Sequence, residues 1–143
     1  MVGRGLDEFN SQLLKWLDCA EFRSYFHLVG EQSDIHLWYN AMDIYCLSSK
    51  SEGFPNALVE AMAMGLPCVS TEVGDAKSIL NGHGILAHSN NVQALIDALL
   101  FMLRMTPDER FNLGQSARQS VLNTYSIKSI YNHYHHTYSS NQI

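Results

Sequence analysis

Ser51-Glu52-Gly53-Phe54-Pro55-Asn56-Ala57-Leu58-Val59-Glu60-Ala61-Met62-Ala63-Met64-Gly65-Leu66-Pro67 reads as a loop entering a helix, with glutamates on either side of the helix start. Pro55 suits a first helical residue, because its φ is preset and it has no N–H to satisfy. Asn56 and Ala57 would then leave backbone N–H groups free at the positive end of the helix dipole, a natural phosphate seat. Glu60 falls roughly 7 to 8 Å further along the axis at 1.5 Å per residue. Gly65 is placed to stop the helix after residue 64. Glu52 alone is what any helix start attracts. Glu60 is harder to explain that way: buried in an apolar, small-residue helix, a carboxylate is costly unless hydrogen bonds match it. Acids on both sides of a phosphate seat suit a ligand with hydroxyls at each end and phosphates in the middle, the shape of a nucleotide-sugar.

The flanking sequence alternates short apolar runs with helical patterns. Residues 1–2 read as the tail of a strand, followed by a turn at Gly3-Arg4-Gly5. A helix opening at Asp7 or Glu8 would carry Phe9, Leu13, Leu14 and Leu17 on one face. Strands are expected at 25–29, 44–47, 68–70 and 85–87, and a short helix capped by Ser33 or Asp34 between the first two. Asp75 begins another short helix, residues 92–103 are strongly amphipathic, and Thr106-Pro107-Asp108-Glu109 is a helix start leading to about residue 123. Ser126 opens a last helix, and residues 139–143 should fray. Without hairpin signals, this alternation predicts an α/β fold, a parallel sheet with helices on both faces. Ligands of such sheets lie beyond the carboxyl ends of the strands, where Gly30-Glu31 and residues 49–54 both fall.

The 143 residues fit one domain, with 46% apolar and 16% charged residues. A net charge of −5 argues against nucleic acid as a partner. No apolar run is long enough to span a membrane, and the first residues have no apolar signal region. Cys46 and Cys68 lie in apolar, strand-like runs, so they and the distant Cys19 read as reduced core residues of a cytoplasmic protein. His133, His135 and His136, interleaved with tyrosines, read as a surface helix, and His27, His36, His83 and His88 as isolated.

Several motifs together resemble the family 4 retaining glycosyltransferases of GT-B architecture. The two glutamates separated by seven residues match the family's motif, and 49–65 resembles its serine-x-x-EGF…EAMAxG run. Leu66-Pro67-Cys68-Val69-Ser70-Thr71 is similar to its next strand. Val73-Gly74-Asp75-Ala76, Gly84-Ile85-Leu86-Ala87, Val2-Gly3-Arg4-Gly5 and Phe26-His27-Leu28-Val29-Gly30 match further segments. The resemblance implies a Rossmann-like, nucleotide-sugar-binding domain over 1–125, with its first strand missing, and a C-terminal helix and tail over 126–143. Glu52 would face the transferred sugar as the catalytic residue, and Glu60 would hold the ribose. Gly53, Phe54, Pro55, Asn56 and Ala57 would contact sugar and diphosphate, Gly30, Glu31 and Gln32 the base, and Ser49 a phosphate. Such a site needs no metal and no cofactor beyond its nucleotide-diphosphate sugar. Ala61, Ala63 and Gly65 would let the helix lie close to the sheet.

The chain also departs from this pattern. The family's acceptor domain is absent, and its diphosphate-pinning arginine and lysine would precede Met1, with Arg4 too late to be either. The chain therefore reads as the carboxyl-terminal part of a longer enzyme that builds bacterial surface polysaccharide, peripheral at the inner membrane. By itself it should bind donor weakly and transfer nothing. An unpaired sheet edge would favour a homodimer. Two alternatives are a non-catalytic module binding a nucleotide or a partner, and a sugar-nucleotide epimerase, whose acid/base signatures are not seen.

Overall fold

The computed structural model describes residues 1–18 and 21–139, with the backbone alone for His133. The expectations for Cys19 and for the tail beyond Ser139 lie outside the described residues. The chain divides into two compact units, Met1–Ala41 and Met42–Ile143.

In the first unit, helix α1 spans Ser11–Asp18 and α2 spans Ile35–Asn40. The first helix starts later than the acidic pair suggests. Asp7 accepts the Phe9 N–H in a local turn, and Asn10 Oδ1 accepts the Leu13 N–H at 3.0 Å. Asn10 is thus the cap, and Phe9 stands outside the helix, exposed. Asp34 does precede α2, without a side-chain capping bond. The strand expected at 25–29 does not form. Its first residue closes a 3₁₀ turn, Arg23–Tyr25. What remains is an extended piece lying parallel to residues 1–3, joined to it by Val29 N–H to the Met1 carbonyl, Gly3 N–H to the Gly30 carbonyl and the Met1 amine to the His27 carbonyl.

In the second unit, strands β1 (Tyr45–Leu47), β2 (Cys68–Thr71) and β3 (Ile85–Ala87) form a parallel sheet in the order β1-β2-β3. Cys46 pairs with Val69, and Val69 with Ile85. Every residue of β2 is buried, as in sheets covered on both faces. On one face Val69 and Ala87 pack against Ala98 and Met102 of α5 (Val92–Arg104), which contacts β2 and β3. Cys68 and Ser70 alternate to the opposite face, where α3 (Asn56–Ala63) meets β1 and β2 and α4 (Ala76–Leu80) meets β2 and β3. Cys68 is buried as expected, but Cys46 is exposed. Cys46 shares a face with Val69, and the helix covering that face lies over β2 and β3, leaving β1 to solvent.

Helix α3 buries Leu58, Ala61 and Met62, the i, i+3, i+4 stripe of an amphipathic helix. It ends as the sequence predicts. Gly65 has φ +80°, Leu66 N–H reaches back to the Ala61 carbonyl and Gly65 N–H to that of Met62, a Schellman stop that favours glycine. Helix α6 (Pro107–Tyr125) crosses at that point. A Cβ on Gly114 would fall 2.0 Å from the Gly65 carbonyl oxygen, and Arg118 donates to the Ala63 carbonyl at 2.6 Å. The small residues of the motif thus serve a helix–helix crossing as well as the sheet contact, and Arg118 caps the end of α3. Helix α7 spans Ile127–Ser139, opened by Ser126, whose hydroxyl accepts the Ser129 N–H.

Candidate functional site

The acid motif occupies the carboxyl edge of the sheet, where β1 runs into the loop before α3. Pro55 is the residue before α3 rather than its first turn. Asn56 begins the helix, and its N–H donates to the Phe54 carbonyl at 2.9 Å. The expected free N–H at Asn56 is therefore already used, because the chain makes a three-residue turn at Pro55 before becoming helical. Leu58 and Val59 both donate to the Pro55 carbonyl. Phe54 is partly exposed, with its ring edge-on to Tyr125 at 5.6 Å, so the end of α6 braces the loop.

Glu52 is exposed, and its Oε1 accepts the Ser49 hydroxyl at 2.7 Å. The loop carrying both is held from β2. Thr71, the last residue of that strand, donates from Oγ1 to the Ser49 carbonyl at 2.7 Å and lies 3.3 Å from that of Leu47. Asp75 N–H donates to the Gly53 carbonyl at 3.1 Å. Gly74 has φ +46°, and a Cβ there would sit 2.0 Å from the Gly53 oxygen and 2.5 Å from that of Glu52.

Glu60 is exposed, contrary to the expectation that it lies buried. At 100° per residue it falls opposite the Leu58-Ala61-Met62 stripe, so its charge is solvated. Burial first, then negative charge at Cys68, Cys46, Glu60 and Glu52, pushes the Tyr45 hydroxyl well above its ordinary value. Burial of Tyr45 in β1 is the main cause, and the two carboxylates add least.

The residues expected to meet a base lie in the first unit. Gly30 is buried with φ +68°, donating to the Leu6 carbonyl. Glu31 is exposed, 3.9 Å from Arg4, and Gln32 turns its amide back to the Val29 carbonyl at 2.6 Å.

Sequence reading passed over Thr71, Gly74, Tyr45 and Tyr125. The signals present were a hydroxyl at the end of an apolar strand and a glycine three residues after it. It also took His83 and His88 as isolated. His83 Nδ1 shares a 2.6 Å hydrogen bond with Ser116 Oγ, tying the turn before β3 to α6. His88 Nδ1 lies 3.4 Å from Glu72 Oε2. Among the described residues no group of three or more His, Cys, Asp or Glu side chains could hold a metal, and no helix is long and apolar enough to cross a membrane. A cavity of about 330 Å³ is lined by Tyr131, Tyr134, His135, Tyr138 and Ser139, and another of about 560 Å³ by Asn123, Thr124, Ser129, Ile130 and Tyr134. Neither includes a residue of the acid motif.

The family described as "Glycosyl transferases group 1" matches residues 1–105. An uncharacterized glycosyltransferase of Haemophilus influenzae is 30% identical over 122 residues, covering 82% of this chain and 33% of that protein. The lipopolysaccharide core biosynthesis mannosyltransferase LpsB of Rhizobium meliloti is 28% identical over 120 residues, covering 81% and 33%. Among solved structures, Anabaena Alr3699/HepE, in complex with UDP and glucose, superposes with a TM-score of 0.81 at 22% identity, over 97% of this chain and 39% of that one. The chain thus spans about a third of the length of these curated relatives, and its parallel sheet with flanking helices is that of part of a GT-B glycosyltransferase. On the match over 105 of 143 residues, the chain belongs to the group 1 glycosyl transferase family.

Proposed function

We propose that this chain is the donor-binding part of a retaining glycosyltransferase, which moves a sugar from a nucleotide-diphosphate donor to a saccharide or lipid-linked acceptor. The observation that carries the proposal is the pair of carboxylates flanking the start of α3 at the carboxyl edge of the sheet, one of them, Glu52, held by the Ser49 hydroxyl. Glu52 orients the sugar hydroxyls, Glu60 accepts from the ribose, and Gly53, Phe54, Pro55, Asn56 and Ala57 line the diphosphate. The helix start stabilises charge growing on the leaving diphosphate, so the site works without a metal. Attack comes from the face the leaving group departs, and the departing phosphate helps to take the acceptor proton. Family membership and LpsB's role in lipopolysaccharide core synthesis support a place in bacterial surface polysaccharide assembly at the inner face of the membrane.

Binding has a cost visible at Asn56. To reach a phosphate its N–H must leave the Phe54 carbonyl, giving up a bond worth about 1 kcal/mol net. Donor binding by the chain alone is accordingly weak. Calorimetry with UDP, GDP and their hexose conjugates tests the reading. Glu60→Gln should weaken free nucleotide and nucleotide-sugar alike, by about 1.5 to 3 kcal/mol for a lost charged hydrogen bond. Glu52→Gln should weaken only the nucleotide-sugar. Equal effects of both variants on both ligands would remove the assigned roles. Like its relatives' full-length forms, an active enzyme would need the acceptor-side domain. The unpaired edge of β1 among the described residues favours a homodimer formed by edge pairing.

A further inference from the structure

We infer that Thr71 is the positioning residue for Glu52, acting through Ser49, and that segment 71–75 sets how the site grips the sugar rather than the nucleotide. The inference rests on the donor-binding reading above. Three contacts converge on one short loop. The Thr71 hydroxyl, nine-tenths buried, spans the end of β1 by donating to the Ser49 carbonyl at 2.7 Å, the shorter of its two carbonyl contacts. That fixes the Ser49 backbone, and the Ser49 hydroxyl donates onward to Glu52 Oε1 at 2.7 Å. From the far side, Gly74 lies against the Glu52 and Gly53 carbonyls, and Asp75 N–H holds the Gly53 oxygen. Glu52 itself is exposed, so nothing in a packed core holds its carboxylate. Its direction comes from this relay. A hydroxyl with a single proton suits the task, because it crosses between two strand ends where a backbone bond of the ladder has already stopped.

A loosened Glu52 loses contact with sugar hydroxyls but leaves diphosphate and ribose contacts intact. Thr71→Val keeps the shape and removes the donor, Thr71→Ser keeps the donor, and Ser49→Ala cuts the relay at its solvent-exposed hydrogen bond to Glu52. Affinities for UDP, GDP, UDP-glucose and GDP-mannose are measured by calorimetry, and amide exchange at Asp75 by NMR. With the preferred base, Thr71→Val and Ser49→Ala should weaken the sugar conjugate about tenfold more than the free nucleotide, as expected for one charged hydrogen bond. Thr71→Ser should stay near wild type, and Thr71→Val alone should speed Asp75 exchange. Equal losses for conjugate and nucleotide, or Thr71→Ser behaving as Thr71→Val, would overturn the relay. If wild type binds none of the four ligands, the donor-binding reading falls; unchanged Asp75 exchange in Thr71→Val then overturns the relay by itself.

Discussion

Gly74 carries a constraint that no other residue type meets. Its φ of +46° costs a non-glycine residue, and its missing Cβ leaves room for two carbonyl oxygens, one only 2.0 Å from where that atom would be. Strain and overlap add, so Gly74→Ala should destabilise the second unit by about 3 kcal/mol or more, read from urea unfolding; a loss below about 1 kcal/mol would show that the loop relaxes freely. The glycine was visible in the sequence, as part of Val-Gly-Asp after a strand. Its partner was not, because Glu52 and Gly53 are some twenty residues away and meet it only through folding. Glu60 shows the opposite failure. Its apolar neighbours made burial look certain, but helical geometry puts it on the far side from Leu58, Ala61 and Met62, and one chain direction decides that.

At the level of elements, the helix starts were the most legible features, because caps are local. Thr106 and Glu109 form the reciprocal box that their spacing announces: Glu109 N–H donates to the Thr106 hydroxyl, and Glu109 Oε2 accepts from Thr106 N–H. Hydrogen bonds from the Thr106 backbone and side chain hold the Glu109 carboxyl below its ordinary value of 4.5. A folded value lowered in this way gives stability that is complete above the unfolded value and is lost as pH falls through the folded one. Thr106→Ala should therefore lower Tm at pH 7, and its cost should shrink as pH falls through the folded value of Glu109; a cost that stays the same across the acid limb would remove the carboxylate from the account. Where α3 and α6 cross, two effects oppose each other. Gly114→Ala gains about 1 kcal/mol of helix propensity, but its Cβ meets the Gly65 carbonyl at 2.0 Å. Overlap with fixed backbone should win, with a net loss of about 2 kcal/mol by thermal unfolding; a stabilised variant would show that the helices separate without cost. The strand at 25–29 failed for a local reason too, since a 3₁₀ turn took its first residue.

For the whole molecule, the prediction concerns what one chain does alone. Light scattering should show a dimer mass if β1 edges pair, and a monomer mass would remove that interface. An assay of the purified chain with UDP- and GDP-hexoses should give no transfer, and turnover would refute the assignment of this chain as a donor half. The parallel α/β architecture, the positions of most helices and the acid motif were all readable from residue order, because each depends on periodicity, capping and turn chemistry within about ten residues. Two arrangements needed the folded chain: the link from Thr71 through Ser49 to Glu52, and the seating of Gly74 against the Glu52 and Gly53 carbonyls. Cys46 belongs with them, exposed because α5 covers β2 and β3 but not β1. Each depends on groups far apart in sequence that come within hydrogen-bond or van der Waals range only after the strands are ordered and the helices placed, and no local pattern encodes that distance.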